Sequence, residues 1–404
     1  MSTLLGILAD DLTGACDSAA PFHARGLRTV VALRGQWTWP EDAAVVALDT
    51  DSRALAPEEA ATRVRAAGEA LLRAGVRDWF KKVDSTLRGN VGAEIEAALA
   101  IRGARLALLA PSFPANERHV REGILSVGAG TSATTVDAQA LLSGQLSRPP
   151  TLVGLGQVER GPAGLAEMLR PLLDGPPTVA LVDATSDAHL RAIAQAGRLL
   201  GDRCLLAGSG GLSAALAEQA PLGPRYEPAP SPGPVLVLIG TLHPRTRGQL
   251  SVAAERLGVP PLEIPTGPDA RSDAVQPVLA SVRETLRQRG VALLTTAAER
   301  PEPADDARAA ERLAQAALPL LREDAVAGVV ASGGDTVAAL CRALGAGLLE
   351  LGDEVLVGMP QARLLGGLRP GLPLVTKSGG FGPPDALVQA VRALQPTPWR
   401  EPSR

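Results

Sequence analysis

Apolar and polar positions alternate along the chain in blocks. LLGILA (4–9) is a short apolar run of buried-strand type, closed by the polar turn Asp10-Asp11-Leu12-Thr13-Gly14. A helical stretch over about 15–26 follows, with Thr13 or Asp17 available near its start. Residues 30–33 and 44–48 predict further buried strands and 57–74 a helix, and the runs 79–83, 106–110 and 178–182 continue the alternation. Strands separated by helical stretches imply βαβ units, and continuous apolar runs imply a parallel sheet covered on both faces. The segment PLGPRYEPAPSPGP (221–234) is too rich in proline for a central strand or a helix interior, and reads as a semi-rigid linker. Beyond it the alternation restarts at 235–239, with a helix over about 245–257 and strands near 291–295, 327–331 and 372–376. The expected fold class is α/β: two domains, each a mainly parallel sheet flanked by helices, with an active-site cleft between them. The expected boundaries are 1–222, a linker at 223–234, and 235–404.

Composition narrows the function classes. Among 404 residues, 40 basic side chains face 43 acidic ones for a formal charge of −3, which argues against nucleic acid as a main partner. With 46% hydrophobic and 21% charged residues the chain reads as a folded globular protein. No apolar stretch nears the roughly 18 residues of a membrane span. No basic segment precedes the first apolar run, so no signal peptide is expected and a cytoplasmic location is. Cys16, Cys204 and Cys341 lie far apart, without the spacing of a disulfide framework or a zinc site. Lysine is nearly absent: Lys81, Lys82 and Lys377 stand alone in an arginine-rich chain, and Asn90 and Asn116 are its two asparagines. Under such a compositional bias the survivors are expected to have specific tasks, because a compact ammonium is not replaceable by a guanidinium where a point charge must reach an anion.

Three segments of the second half have the form strand, glycine turn, helix. They are Gly240-Thr241-Leu242-His243-Pro244, Ser332-Gly333-Gly334-Asp335-Thr336, and Lys377-Ser378-Gly379-Gly380-Phe381-Gly382. Glycines let backbone N–H groups approach a phosphate closely, and Lys377 adds a charge suited to a phosphate chain. One such loop is more often just a turn, but three in one domain favour a phosphate site. The Walker pattern is absent, and Gly208-Ser209-Gly210-Gly211-Leu212-Ser213 only approximates the dinucleotide fingerprint. The first half carries Asp10, Asp11, Thr13 and Asp17, then Asp51-Ser52-Arg53, the 81–90 segment and the 111–118 segment at successive predicted strand ends. Capping and loop ion pairs account for some of these groups, Thr13 and Ser85 among them. The whole set suits a polyhydroxy acid, with cations for its carboxylate and aspartates, hydroxyls and amides for its hydroxyls.

ADDLTGACDSA (9–19), KKVDSTLRGNVGAEI (81–95), APSFPANER (110–118), SGGDTVAAL (332–340) and TKSGGFGPPDAL (376–387) resemble, in this order, the four-carbon acid sugar kinase family. The resemblance implies an ATP-dependent kinase of D-threonate, D-erythronate or an oxo-tetronate, with an N-terminal sugar-acid domain and a C-terminal nucleotide domain. It implies substrate contacts from Asp11, Arg53, Lys82, Asp84, Ser85 and Arg88, with Asn90 beside them. It implies ATP contacts from Gly240, Thr241, Gly333, Gly334, Asp335, Thr336 and Gly379, with Gly380 adjoining. On this reading Arg53 and Arg88 hold the carboxylate, Asp84 or Asp11 accepts the hydroxyl proton, Lys377 neutralises developing charge, and Asp335 holds Mg²⁺ through waters. The expected partners are the acid and ATP, without nucleic acid or membrane, and a homodimer is the self-association considered. Two alternatives stand beside it. A non-catalytic sensor draws on His243, which replaces a family hydroxyl, and on an unusual 128–150 segment. An NAD-dependent dehydrogenase draws on Gly208–Ser213 alone.

Overall fold

The apolar runs become strands. The computed structural model describes residues 3–35, 37–128, 133–224, 233–265, 272–296, 305–323 and 325–395. The chain divides into two units, Met1–Arg225 and Tyr226–Arg404. Of the expected linker, 225–232 lie outside the described residues.

The first unit contains β1 (Leu5–Ala9), β2 (Thr29–Ala32), β3 (Val45–Asp49), β4 (Asp78–Lys82) and β5 (Leu106–Ala110), a separate group β6 (Arg118–Arg121), β7 (Ile124–Val127) and β8 (Thr134–Asp137), then β9 (Thr151–Val153), β10 (Thr178–Val182) and β11 (Cys204–Gly208). Its main sheet runs β2-β3-β1-β4-β11-β5-β10-β9 with every pair parallel. β1, β3 and β5 are buried throughout, as strands covered on both faces must be. From β1 the chain proceeds to β2 and β3 on one side and then to β4 on the other. That reversal opens a crevice at the carboxyl ends of β1, β3 and β4, the place where open α/β sheets bind ligands.

The first helix spans Leu12–His23 and starts earlier than the sequence pattern suggests. Its cap is Asp11, not Thr13 or Asp17, because the Asp11 carboxylate accepts from the Gly14 N–H at 2.9 Å. The antiparallel group β6-β7-β8 was not expected from the sequence. Part of the unusual 128–150 segment, 129–132, lies outside the described residues. The rest forms β8 and the helix Ala138–Gln145, whose Gln145 donates to Gly89 O (3.0 Å) and accepts from Gly92 N–H (2.9 Å). It thereby braces the turn that carries Arg88.

The second unit contains β12 (Val235–Ile239), β13 (Pro261–Ile264), β14 (Val291–Thr296), β15 (Gly328–Ser332), β16 (Leu348–Leu356), β17 (Met359–Leu365) and β18 (Pro373–Lys377), in the order β13-β14-β12-β15-β18-β17-β16. The pairs from β13 to β18 are parallel; those of β17 with β18 and β16 are antiparallel. The β16–β17 hairpin corrects the expectation of simple βαβ repetition. Its turn is Val357-Gly358, with Gly358 at φ 76° and its N–H bonded to Glu354 Oε1 at 2.7 Å. One face of the sheet packs Val235, Val237, Val330 and Val375 against Leu250 and Leu257 of helix Pro244–Leu257 and Leu387 and Val391 of helix Ala386–Leu394. Among the described residues no helix is long and apolar enough to cross a membrane.

The near-fingerprint at Gly208–Ser213 has a packing cause. A Cβ on Gly208 would overlap the Ala110 carbonyl oxygen, one on Gly210 would sit 2.6 Å from Asp17 Oδ2, and one on Gly211 would sit 2.7 Å from Ser112 O. These glycines admit the protein's own chain rather than a pyrophosphate. Gly208→Ala is expected to destabilise the fold by ~1–3 kcal/mol through overpacking. The check is urea unfolding: the midpoint falls with the slope unchanged, and an unchanged midpoint would contradict the close approach.

Candidate active site

In the first unit, the turns after β1, β3 and β4 bring their charged groups together. Arg53 is forked between two carboxylates. Its Nε and Nη2 donate to Asp10 Oδ2 and Oδ1 at 2.7 and 2.9 Å, and its Nη1 and Nη2 donate to Asp11 Oδ2 and Oδ1 at 2.9 and 2.7 Å. Arg53 Nη2 also lies 3.7 Å from Asp84 Oδ2. Burial would lower the guanidinium's pKa, but Asp10, Asp11 and Asp84 outweigh it and hold the pKa well above its usual range. Asp84 accepts from Arg88 Nε (3.0 Å), Arg88 Nη2 (2.6 Å) and the Thr86 N–H (3.0 Å). Burial would raise the Asp84 carboxyl; the Arg88 hydrogen bonds and the charges of Arg53 and Arg88 instead hold it far below the usual carboxylate range.

Successive residues of a strand point to opposite faces, and this separates the two adjacent lysines. Lys81 turns into the core and pairs with Glu94 at 2.7 Å, both side chains being buried. It also donates to the Lys82 carbonyl at 2.7 Å, while Ser52 Oγ donates to Glu94 Oε1 at 2.7 Å. Lys82 turns to the site. It is 4% exposed, and among the described residues its ammonium makes neither a hydrogen bond nor an ion pair. Ser85, also buried, has an equally unengaged hydroxyl. Asn90, expected as a ligand for substrate, instead donates its amide to Leu55 O (2.8 Å) and Ser52 O (3.3 Å). It is a positioning residue that holds the Arg53 turn. Asn116, in the turn after β5, keeps a buried Nδ2 without a partner. Asp51 and Leu87, in the β3 and β4 turns, have φ of 47° and 60°, a conformation that non-glycine residues seldom adopt outside constrained sites.

In the second unit the three glycine turns follow β12, β15 and β18, which are neighbours in the sheet. They pack edge to edge. A Cβ on Gly240 would overlap Thr336 Oγ1, one on Gly333 (φ 102°) would lie 3.0 Å from Thr241 Cβ, and one on Gly379 would lie 3.0 Å from Thr241 Oγ1. Asp335, at the start of helix Gly334–Ala343, is exposed beside them. Of the predicted nucleotide contacts, Gly240, Thr241, Gly333, Thr336 and Gly379 are thus in one cluster.

His243 has a structural task here. Its Nδ1 accepts from the Arg245 N–H at 3.2 Å and caps helix Pro244–Leu257. Lys377 differs from expectation: it is fully buried beneath the turns rather than presented at them. Its Nζ donates to Thr246 Oγ1 and Ser378 O, both at 2.8 Å, and Thr246 Oγ1 donates on to Gly379 O at 2.7 Å. Lys377 is accordingly a positioning residue for the third turn. Gln249, fully buried, donates to the carbonyls of Phe381 (3.0 Å) and Pro383 (2.8 Å) and completes the brace. Sequence reading missed Thr246 and Gln249, although both face inward from the helix that follows the first turn.

A sugar-binding N-terminal domain model covers residues 5–216, and a nucleotide-binding C-terminal domain model covers 236–387. The chain belongs to the four-carbon acid sugar kinase family. It is 38% identical to a D-threonate kinase of Bordetella bronchiseptica, over 97% of both chains. It is 32% identical to a 3-oxo-tetronate kinase of Methylobacterium radiotolerans, over 97% of this chain and 99% of the other. A structure from Salmonella typhimurium LT2, described as a putative tRNA synthase, shares the fold with a TM-score of 0.80 at 23% identity, covering 97% of this chain and 99% of that one.

Burial, aided by the nearby Arg245 charge, lowers the Lys377 pKa to about 7. Its folded pKa is below the unfolded value of 10.5, so this group adds stability as pH rises from 7 towards 10. An anion seated on the adjoining turns would favour the ammonium. Nucleotide binding between pH 7.5 and 8.5 is therefore expected to take up protons, read as a dependence of calorimetric enthalpy on buffer ionisation enthalpy. That dependence should vanish in Lys377→Met, and a wild type without it would show that the lysine does not sense the nucleotide.

Proposed function

We propose that this protein transfers the γ-phosphoryl group of ATP to a hydroxyl of a four-carbon acid sugar, with D-threonate as the first substrate to test. The observation that carries the reading is Lys82, a buried ammonium that among the described residues makes neither a hydrogen bond nor an ion pair, lying against Gly14 of the first helix and feeling the charges of Asp10 and Asp17. The unit at 1–222 takes the acid, that at 235–404 takes ATP, and 223–234 joins them. The 38% identity to a D-threonate kinase is the reason for testing that acid first.

Phosphoryl transfer passes through a loose transition state, so the protein's work is alignment and charge stabilisation. Arg88, whose side chain is 63% exposed, holds Asp84 through Nε and Nη2 and can offer Nη1 to the substrate carboxylate, while Arg53 stays clamped and fixes Asp10 and Asp11. Lys82 and Ser85 bind substrate oxygens. The turns at 240–241, 333–336 and 379–380 present backbone N–H groups to the phosphates. Asp335, exposed at the glycine turns, would hold Mg²⁺ through its carboxylate and waters, and the ion would supply positive charge against the phosphates. The sensor reading loses its support, since His243 caps a helix and Gln145 of the 128–150 segment braces the Arg88 turn. The dehydrogenase reading loses the Gly208–Ser213 turn to packing.

A coupled ADP assay across D-threonate, D-erythronate and the oxo-tetronates is expected to show acid-dependent ATP consumption; no response to any of them would remove the reading. Arg88→Ala should raise the KM for the acid about tenfold or more, as loss of a charge-assisted bond of ~1.5–3 kcal/mol implies. Asp84→Ala should lose turnover while retaining ATP affinity.

A further inference from the structure

Asp17 lies on the first helix, three residues past Gly14, and is 7% exposed. Its carboxylate rests against Gly210, where a Cβ would come within 2.6 and 2.8 Å of its two oxygens. Gly210 opens the helix Gly210–Ala217, so the carboxylate sits at that helix's start. Among the described residues Asp17 makes no hydrogen bond and no ion pair. Other buried carboxylates of this unit are engaged. Asp10 is held by Arg53, Asp84 by Arg88, Glu94 by Lys81 and Ser52, and Asp183 by the Glu122 and Gly123 N–H groups.

Lys82 is an unengaged buried cation beside it. The two feel each other's charge, yet no ion pair joins them. The helix is pressed close here, since a Cβ on Gly14 would lie 3.0 Å from Lys82 Nζ. Opposite charges buried together without quenching one another leave a space whose natural occupant is a group that donates to one and accepts from the other. A hydroxyl does both.

We propose that Asp17 is a catalytic residue of this reaction, accepting the proton of the substrate hydroxyl that attacks the γ-phosphorus while Lys82 binds the same oxygen. The inference rests on the kinase reading. The substrate oxygen forms its bond to the γ-phosphorus as the bond to the bridging oxygen breaks. ADP leaves with that electron pair, and the proton passes to Asp17 and then to solvent. Asp11 and Asp84, the acceptors expected from the sequence, have their carboxylates committed to Arg53 and Arg88. Asp17 is faced by Lys82 from β4, Arg118 from β6, Asp11 from the β1 turn and the start of helix Gly210–Ala217. Burial raises its carboxyl to about 6, with Lys82 and Arg118 opposing and Asp11 adding to the rise. It is thus ionised at pH 7 yet more basic than an ordinary aspartate.

The test is Asp17→Asn in the full-length enzyme. Its kcat is expected to fall about 100-fold or more, as for loss of a general base. Affinity for the acid, measured by calorimetry without ATP, should change only a few-fold. The wild type should lose kcat/KM below about pH 6 as Asp17 takes up its proton, and the variant should lack that limb. A kcat within fivefold of wild type, or an unchanged acid limb, would overturn the inference while leaving the kinase reading intact. A wild type inert towards every acid tested would remove both. If the Asn variant melts below assay temperature, Asp17→Ser carries the same pH-profile test on residual activity.

Discussion

Three carboxylates, those of Asp10, Asp11 and Asp84, meet at the ends of β1 and β4, and the Arg53 Nη2 atom lies within 3.7 Å of an oxygen from each. Like charges gathered this closely in a poorly solvated place would push one another towards protonation. The Arg53 guanidinium opposes it, because its planar fork meets two carboxylates in pairs of hydrogen bonds and still faces the third, which Arg88 also binds. Breaking such a buried pairing costs about 3–5 kcal/mol, since it strands uncompensated charge. The consequence reaches beyond stability. Asp11, held in place by the fork, caps the first helix, and that helix carries Asp17. The Arg53 turn is held in its own place by Asn90, and the backbone after β4 is held by Lys81. The sugar-acid end is therefore a set of mutually dependent charges rather than a row of independent ligands.

The second unit solves a different problem with different means. Phosphates need backbone donors at close range, and the turns after β12, β15 and β18 would offer them on the proposed reading, each keeping side chains out of the others' path. Gly240 is required because Thr336 Oγ1 fills the space a Cβ would need, Gly333 because its φ of 102° suits glycine, and at Gly379 Thr241 and His243 leave a Cβ only 3.0 Å. Such turns have little cohesion of their own. Lys377 supplies it from below, tied to Ser378 and through Thr246 to Gly379, with Gln249 holding 381–383 from the same helix. A lysine in that position need not touch phosphate to matter, since its charge state answers to whatever anion the turns hold.

Most strands were legible because parallel strands buried on both faces appear as unbroken apolar runs, as at β5, β10 and β12. The β16–β17 hairpin was not, because β16 mixes Glu350, Asp353 and Glu354 into its pattern and lies at a bulged register. Its one local signal was Gly358 after Val357. The glycine turns were legible as a group, but not which lysine served a site. That depends on strand parity for Lys81 against Lys82 and on depth for Lys377, neither of which composition records. Asp17 had a readable trace: it lies three and four residues past Gly14 and Thr13, hence on the same helix face as groups at the β1 turn. What no spacing could show was that, among the described residues, it makes no hydrogen bond or ion pair.

Environment, rather than residue type, sorts the aspartates at this sheet end. Asp10, Asp11 and Asp84 are bound by guanidinium groups, which hold the Asp10 and Asp84 carboxyls below their usual range. Asp49 is buried beside like charges with only the Asp51 N–H for support, and burial above all raises its carboxyl to about 8, so it is neutral at pH 7. Asp17 falls between them, buried like Asp49 but relieved by Lys82 and Arg118. Where neighbouring carboxyls are driven apart in this way, the one poised nearest the working pH is the one able to exchange a proton during a reaction. The fixed anions cannot do so without dissolving the Arg53 fork, and Asp49 has no negative charge to offer. Chemistry that must move a proton at this site is thereby steered to the carboxylate with nothing else to hold.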